Sequence, residues 1–299
     1  VNPLYPVYVI SKGRAERCMT ARFLRRDGVP FRLVVEPQER DLYLKHGATA
    51  EEILETPFSN LGKGGIPARN FVWEHSAATG AERHWILDDN ISGTYRRWKA
   101  RKIPCSSGPA LATCERFVDR YQNVAIAGLN YFMFSANRTV QPPFYLNVRV
   151  YSCLLIRNDL PYRWRGRYNE DTDLCLQVLS GGWCTVLFNA FLVWKMTTMT
   201  MKGGNTAELY QGDGRLRMAR SLEKAWPGIV ETKRRFQRPQ HVIKGAWKGF
   251  DTALKLKPGI DRATLPAVDE LGFELIQSKA PKSPEVRKMI EGRAKPRAR

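Results

Sequence analysis

Short runs rich in Val and Ile recur through the first third of the chain, and each is followed by a stretch with helical spacing. PVYVIS (6–11) leads through SKGRAER into a helical pattern past Ala21 and Leu24, and FRLVVEP (31–37) stops at proline before a helix near Gln38 to Lys45. The glycine-rich LGKGGIPARN (61–70) feeds a helix through Phe71, Val72, His75 and Ala78 that Gly80 should end, and His84 to Leu87 forms the next strand. Strand and helix in alternation predict an α/β fold, a mostly parallel sheet flanked by helices on both faces.

Further along, a helix is expected near Leu111 to Tyr121 and strands at Val124 to Ala127 and Val148 to Ile156. QPPFY (141–145) reads as a loop, and RWRGRYNEDTDLCLQVL (163–179) passes from a basic aromatic loop into an amphipathic helix. WCTVLFNAFLVW (183–194) is a buried strand pair or bend, and from Tyr210 onward the chain reads as helices and basic loops. A chain of 299 residues has room for one large α/β domain, 1–210, and a basic, mainly helical extension, 211–299, with a mobile tail from about 280. No run approaches the roughly eighteen apolar residues of a membrane span, so no membrane partner is expected, and no obligate protein partner is visible. No secretory leader is evident, and Cys18, Cys105, Cys114, Cys153, Cys175 and Cys184 form no CxxC pair, which predicts reduced thiols in a cytoplasmic protein.

Charge narrows the partner. There are 48 Lys and Arg against 29 Asp and Glu, a formal net charge of +19, and residues 211–299 carry 21 basic against 10 acidic side chains. Such an excess favours a polyanion, above all nucleic acid, whose phosphates release condensed counterions when neutralised. The plainer alternative is a basic protein with no such partner.

Against that background stands WILDDNI (85–91), with Asp88, Asp89 and Asn90 at the end of an apolar strand. Ligands of open α/β sheets bind beyond the carboxyl ends of strands, and paired carboxylates there can hold Mg²⁺ or Mn²⁺ together with substrate phosphates. A plain turn accounts for the same residues. Arg69 and Asn70, near a helix N-terminus, suit an anion. Glu170, Asp171 and Asp173 open a helix, where acidic side chains also complement the dipole.

The order PVYVIS-KGR, VVEP, GGIPARN, WILDDN and RYNEDTDL resembles a nucleotide-sugar-dependent glycosyltransferase of the GT-A fold. WRGRYNEDTDLCLQVL, with GGWCTVLFNAFLVWK and MKGGNT behind it, is similar more specifically to the TET-associated glycosyltransferases of phage DNA hypermodification. The likeness covers roughly residues 5 to 250. It implies metal-dependent transfer of a hexose, glucose from UDP-glucose, onto the hydroxymethyl group of a DNA pyrimidine such as 5-hydroxymethylcytosine. It assigns Asp171 as general base, with Glu170 and Asn169 orienting sugar or acceptor. Ser11, Lys12, Gly13, Arg14, Glu36, Arg69, Asn70, Asp88, Lys202 and Arg238 are assigned to the donor. Mn²⁺ or Mg²⁺ falls to Asp89 or Asn90 with His241; Asn90 stands where many relatives carry a third acidic residue. Arg163, Trp164, Arg165 and Arg167 would meet DNA by phosphate pairing and base stacking. Two other readings stay open: a transferase acting on a protein or small molecule, and a non-catalytic DNA-binding protein on the same fold.

Overall fold

The computed structural model describes residues 1–98, 101–135, 141–196, 213–235 and 237–266. Its first four strands, β1 (Val7–Ile10), β2 (Arg32–Val35), β3 (Ile53–Glu55) and β4 (Arg83–Asp88), run parallel in the order β3-β2-β1-β4. Helices α1 (Met19–Arg26), α2 (Arg40–Lys45) and α3 (Ile66–Ala78) connect them. The chain builds outward from β1 to β3 and then returns to lay β4 on the other side of β1. That reversal opens a crevice at the carboxyl ends of β1 and β4, where Ile10 lies beside Asp88.

The sheet continues as β9 (Cys153–Arg157), β7 (Val124–Tyr131), β10 (Cys184–Lys195), β5 (Ile91–Trp98) and β6 (Arg101–Cys105), with β8 (Phe144–Leu146) on β10. Strand β9 runs antiparallel to both neighbours, and β5 and β6 form an antiparallel hairpin at the sheet edge. The stretch expected as a strand pair or bend is one twelve-residue strand, β10, whose register shifts between Cys184 and Thr185, between Phe188 and Leu192 and again between Trp194 and Lys195. Those shifts absorb extra residues without ending the strand.

Both sheet faces are covered, as alternation predicts. One core packs Phe23 and Leu24 of α1 and Leu111 and Phe117 of α4 (Ser107–Val118) on Val9, Leu87 and Leu129. The other packs Trp73 of α3 and Leu174 and Val178 of α5 (Glu170–Ser180) on Ile86, Ile126 and Leu154. Where β7 meets the start of β9, a Cβ on Gly128 would sit 2.1 Å from the Cys153 carbonyl oxygen. Glycine there lets β7 close on the turn at Ser152, itself at φ 65°.

The described C-terminal part departs from the mainly helical expectation. It holds α6 (Gly214–Ala225) and an antiparallel hairpin, β11 (Val230–Arg235) and β12 (Arg238–Ile243), which share a small core with Leu176 of α5. The expected mobile tail lies outside the described residues.

Candidate active site

The crevice between β1 and β4 is braced by its own charges. Asp89, 4% exposed, accepts from Ser11 Oγ at 2.8 Å and pairs with Arg14 at 2.6 Å, while the Tyr43 hydroxyl donates to Ser11 Oγ at 2.7 Å. Burial pushes the Asp89 carboxyl up, against Arg14 and Ser11. One turn out, Lys12 meets Glu36 at 2.8 Å and Asn60 Oδ1 at 3.1 Å. Burial alone would raise Glu36; the bonds from Lys12, the Asn60 amide and Gln38 outweigh it and hold the carboxyl below its usual range. The Gly13 amide donates to Glu39 Oε1 at 2.7 Å, leaving Glu39 Oε2 buried without a hydrogen-bond partner. Sequence reasoning passed over Glu39, which offers an acceptor to a hydroxyl or N–H at the crevice wall.

A second set of charges gathers across the sheet. Asp88, at the end of β4, receives Arg69 from the first turns of α3 at 2.9 Å and Lys195 from the end of β10 at 2.6 Å. Lys195 Nζ also donates to Ser152 Oγ at 2.6 Å, and Ser152 Oγ is hydrogen-bonded to the Tyr131 hydroxyl. Arg69 lies 3.7 Å from Glu170 and 3.9 Å from Asp171, its guanidinium 4.8 Å from the Trp164 ring centre. Asp171 Oδ2 accepts from the Ser152 amide at 3.3 Å, and its Oδ1 is buried with no hydrogen-bond partner. Three carboxylates therefore share two cations.

The two aspartates titrate in opposite directions. Burial alone would raise Asp88, but Lys195 and Arg69 hold it well below the usual carboxylate range. Asp171 is pushed up to about 7 by burial, with Glu170 and Asp88 adding and Arg69 and Lys195 opposing. A carboxylate poised there, with one oxygen accepting no hydrogen bond, suits a general base at neutral pH.

Other predicted residues meet different partners. Asn70 clamps the backbone of Trp164, donating to its carbonyl at 2.9 Å and accepting from its amide at 3.0 Å. Trp164 is 2% exposed, so the loop turns this ring inward. Arg163 donates to the carbonyls of Leu160 and Tyr162 and lies over Trp73, and Arg165 pairs with Asp173 at 2.9 Å. Arg167 is exposed, lying 5.8 Å from the Tyr168 ring centre. Asn169 caps α5 in the left-handed region, φ 55°, and donates to the Met218 carbonyl on α6. Arg238 is exposed on β12, Lys202 lies outside the described residues, and His84 stays in the core against Asn158, lowered to about 4 by burial.

The side chains do not form a ready cation site. Among the described residues no three His, Cys, Asp or Glu side chains converge to hold a metal. His241 meets Arg149 at 3.5 Å and is lowered to about 4 by burial and by that cation. Asp88 and Asp89 already carry Lys195, Arg69 and Arg14, and Asn90 contributes one buried carbonyl oxygen without a partner. A dication would have to displace an ammonium or guanidinium to reach either carboxylate, so this donor set does not fit one.

Lys195 was missed by sequence reasoning, although it is the one charge closing the apolar run FLVWK. A family model for TET-associated glycosyltransferases matches residues 5–204. No curated protein matches the chain.

Proposed function

Because the chain belongs to the TET-associated glycosyltransferase family, we propose that it moves a hexose, glucose from UDP-glucose, onto the hydroxymethyl group of a DNA pyrimidine, 5-hydroxymethylcytosine first among them. The observation that carries the reading is Asp171, a half-buried carboxylate raised to about 7, with one oxygen that accepts no hydrogen bond, one cation away from Asp88.

In this mechanism Asp171 takes the proton of the acceptor hydroxyl as its oxygen attacks the anomeric carbon. The bond from that carbon to the diphosphate oxygen breaks, UDP leaves with the electron pair, and direct displacement inverts the anomeric centre. An alcohol is a poor nucleophile at neutral pH, and a positioned base contributes about 10²- to 10⁴-fold. Lys195 and Arg69 place positive charge beside the donor crevice, where the diphosphate gains charge. No step is routed through a divalent cation. Ser11 to Arg14 and Glu36 form the nucleotide end, with Glu39 Oε2 as a further acceptor for ribose or base.

The net charge of +19 supports a polyanionic acceptor. The test is incubation with DNA containing 5-hydroxymethylcytosine and a panel of UDP- and GDP-sugars, followed by nucleoside mass spectrometry. A hexose mass shift with UDP-glucose is expected, and no shift with any donor overturns the reading.

A further inference from the structure

Among the described residues, no carboxylate lies within ion-pair distance of Arg234, Arg235 or Arg238 at the open end of the β11–β12 hairpin, and all three are exposed. Glu231 is the one acidic residue in the two strands, and Lys233 holds it at 2.6 Å. Elsewhere arginines find carboxylates, as Arg25 does with Glu52, Arg157 with Asp159 and Arg217 with Asp213. Arg235 also lies directly opposite Arg238, the last pair of the ladder before the turn at Gln237. Like charges directly opposite destabilise a strand pair, and a two-stranded hairpin has little stability of its own to lose. A solvated surface accounts for scattered cations, but not for three gathered without a counter-charge at the expense of that pair.

The other end of the hairpin is built onto the wall of the catalytic site. Residues paired across the ladder share a face, so Val230 with Ile243, Thr232 with His241, and Arg234 with Pro239 follow one another along one side. Val230 and Ile243 pack with Leu222 of α6 and with Leu176 of α5, the helix that opens at Glu170 and Asp171. Next out, His241 Nε2 lies 3.5 Å from Arg149, whose guanidinium stands 4.6 Å from the Tyr151 ring centre. Tyr151 adjoins Ser152, the residue whose amide donates to Asp171. Arg234 follows two residues beyond Thr232, about 7 Å at the rise of a strand. A two-stranded ribbon fits the major groove of B-DNA, the groove in which the 5-substituent of a pyrimidine lies, and arginine forks pair with phosphate oxygens.

We propose that the β11–β12 hairpin docks the DNA acceptor as a duplex, with Arg234, Arg235 and Arg238 seated on phosphates along the major groove that carries the target pyrimidine. This rests on the DNA reading of the acceptor above. It moves Arg238 from the donor, where the family resemblance assigns it, to the acceptor. The hairpin positions the duplex and takes no part in the displacement, so it sets KM for DNA and leaves kcat alone.

The test compares full-length wild type with Arg234→Gln/Arg235→Gln/Arg238→Gln and with a control of equal charge loss, Arg17→Gln/Arg22→Gln/Lys45→Gln. All six side chains are exposed, and circular dichroism checks the fold. Each protein is titrated with labelled duplex containing 5-hydroxymethylcytosine over a range of salt, titrated with UDP by calorimetry, and assayed for transfer as DNA is varied. The hairpin variant should lose about tenfold or more in duplex affinity, with a salt slope shallower by up to about 2.7, roughly 0.9 for each phosphate contact removed. Its KM for DNA should rise in step while kcat and UDP affinity hold, and the control should stay close to wild type. Arg234→Gln alone, should the triple variant fail to fold, is expected to flatten the slope by about 0.9. Unchanged duplex affinity in the hairpin variant, or an equal loss in the control, overturns the docking role and leaves the DNA acceptor standing. Lost UDP affinity with duplex affinity intact overturns it too and returns Arg238 to the donor. Wild type that binds no DNA at any salt, yet glycosylates a phosphate-free acceptor, overturns both the hairpin and the DNA reading.

Discussion

Asp88 and Asp171 share Arg69 and are both half-buried, yet one is held strongly ionised and the other is pushed up to about 7. The difference is Lys195. It lies 2.6 Å from Asp88, whereas Asp171 has Glu170 as its sequence neighbour and only the far end of Arg69 at 3.9 Å. Two cations divided among three carboxylates leave one of them short, and the shortfall falls on the residue placed to take a proton. The strand end is thus a charge-balanced platform and the helix start a base kept reactive by incomplete neutralisation.

The largest way to break this contrast is Asp171→Asn. Turnover should fall about 10²- to 10⁴-fold with UDP affinity unchanged, because the amide keeps the shape and loses the base; comparable turnover would remove Asp171 from the mechanism. Lys195→Met should follow, costing about 10²-fold in turnover and about 3 kcal/mol of stability by leaving Asp88 short of a cation. The same change frees a carboxylate oxygen for a metal. Wild-type activity should therefore survive chelator, and Mn²⁺ should partly rescue Lys195→Met, as read by transfer assays and by Mn²⁺ paramagnetic resonance. Wild type that binds Mn²⁺ stoichiometrically would overturn the balance of charges.

The smallest effect is a shift of pH profile. Transfer needs Asp171 ionised, so the rate should rise with pH through about 7 and fall away below it. Glu170 raises the Asp171 pKa by like charge, so Glu170→Gln should move that limb to lower pH. A limb that stays put or moves upward would show that Glu170 does not set it.

Much of the frame could be read from residue order. Apolar runs ending at Ser11 and Asp88 placed both at strand ends, and the parallel switch at β1 made those ends neighbours. Asp171 at a helix start was equally visible. Lys195 was not, because its partnership with Asp88 spans 107 residues and depends on β10 remaining one strand through three register shifts. Nor was the fate of Trp164, whose basic neighbours suggest an outward loop until Asn70 clamps its backbone. The β11–β12 hairpin escaped for a related reason. VETKRR and RPQHVI hold too few apolar residues to advertise a strand, and their turn relies on Gln237 at φ 60°.

The irregularity between Trp194 and Lys195 bears on any attempt to graft acceptor preference from one relative to another. It sets the phase in which β10 delivers an ammonium, rather than an indole, to the end of β4. A chimera that swaps the hairpin but trims or adds one residue in β10 would inherit the new surface and misplace the cation. Crossover points should therefore fall before Leu192 or beyond Met196, so that the bulge travels intact as a single cassette.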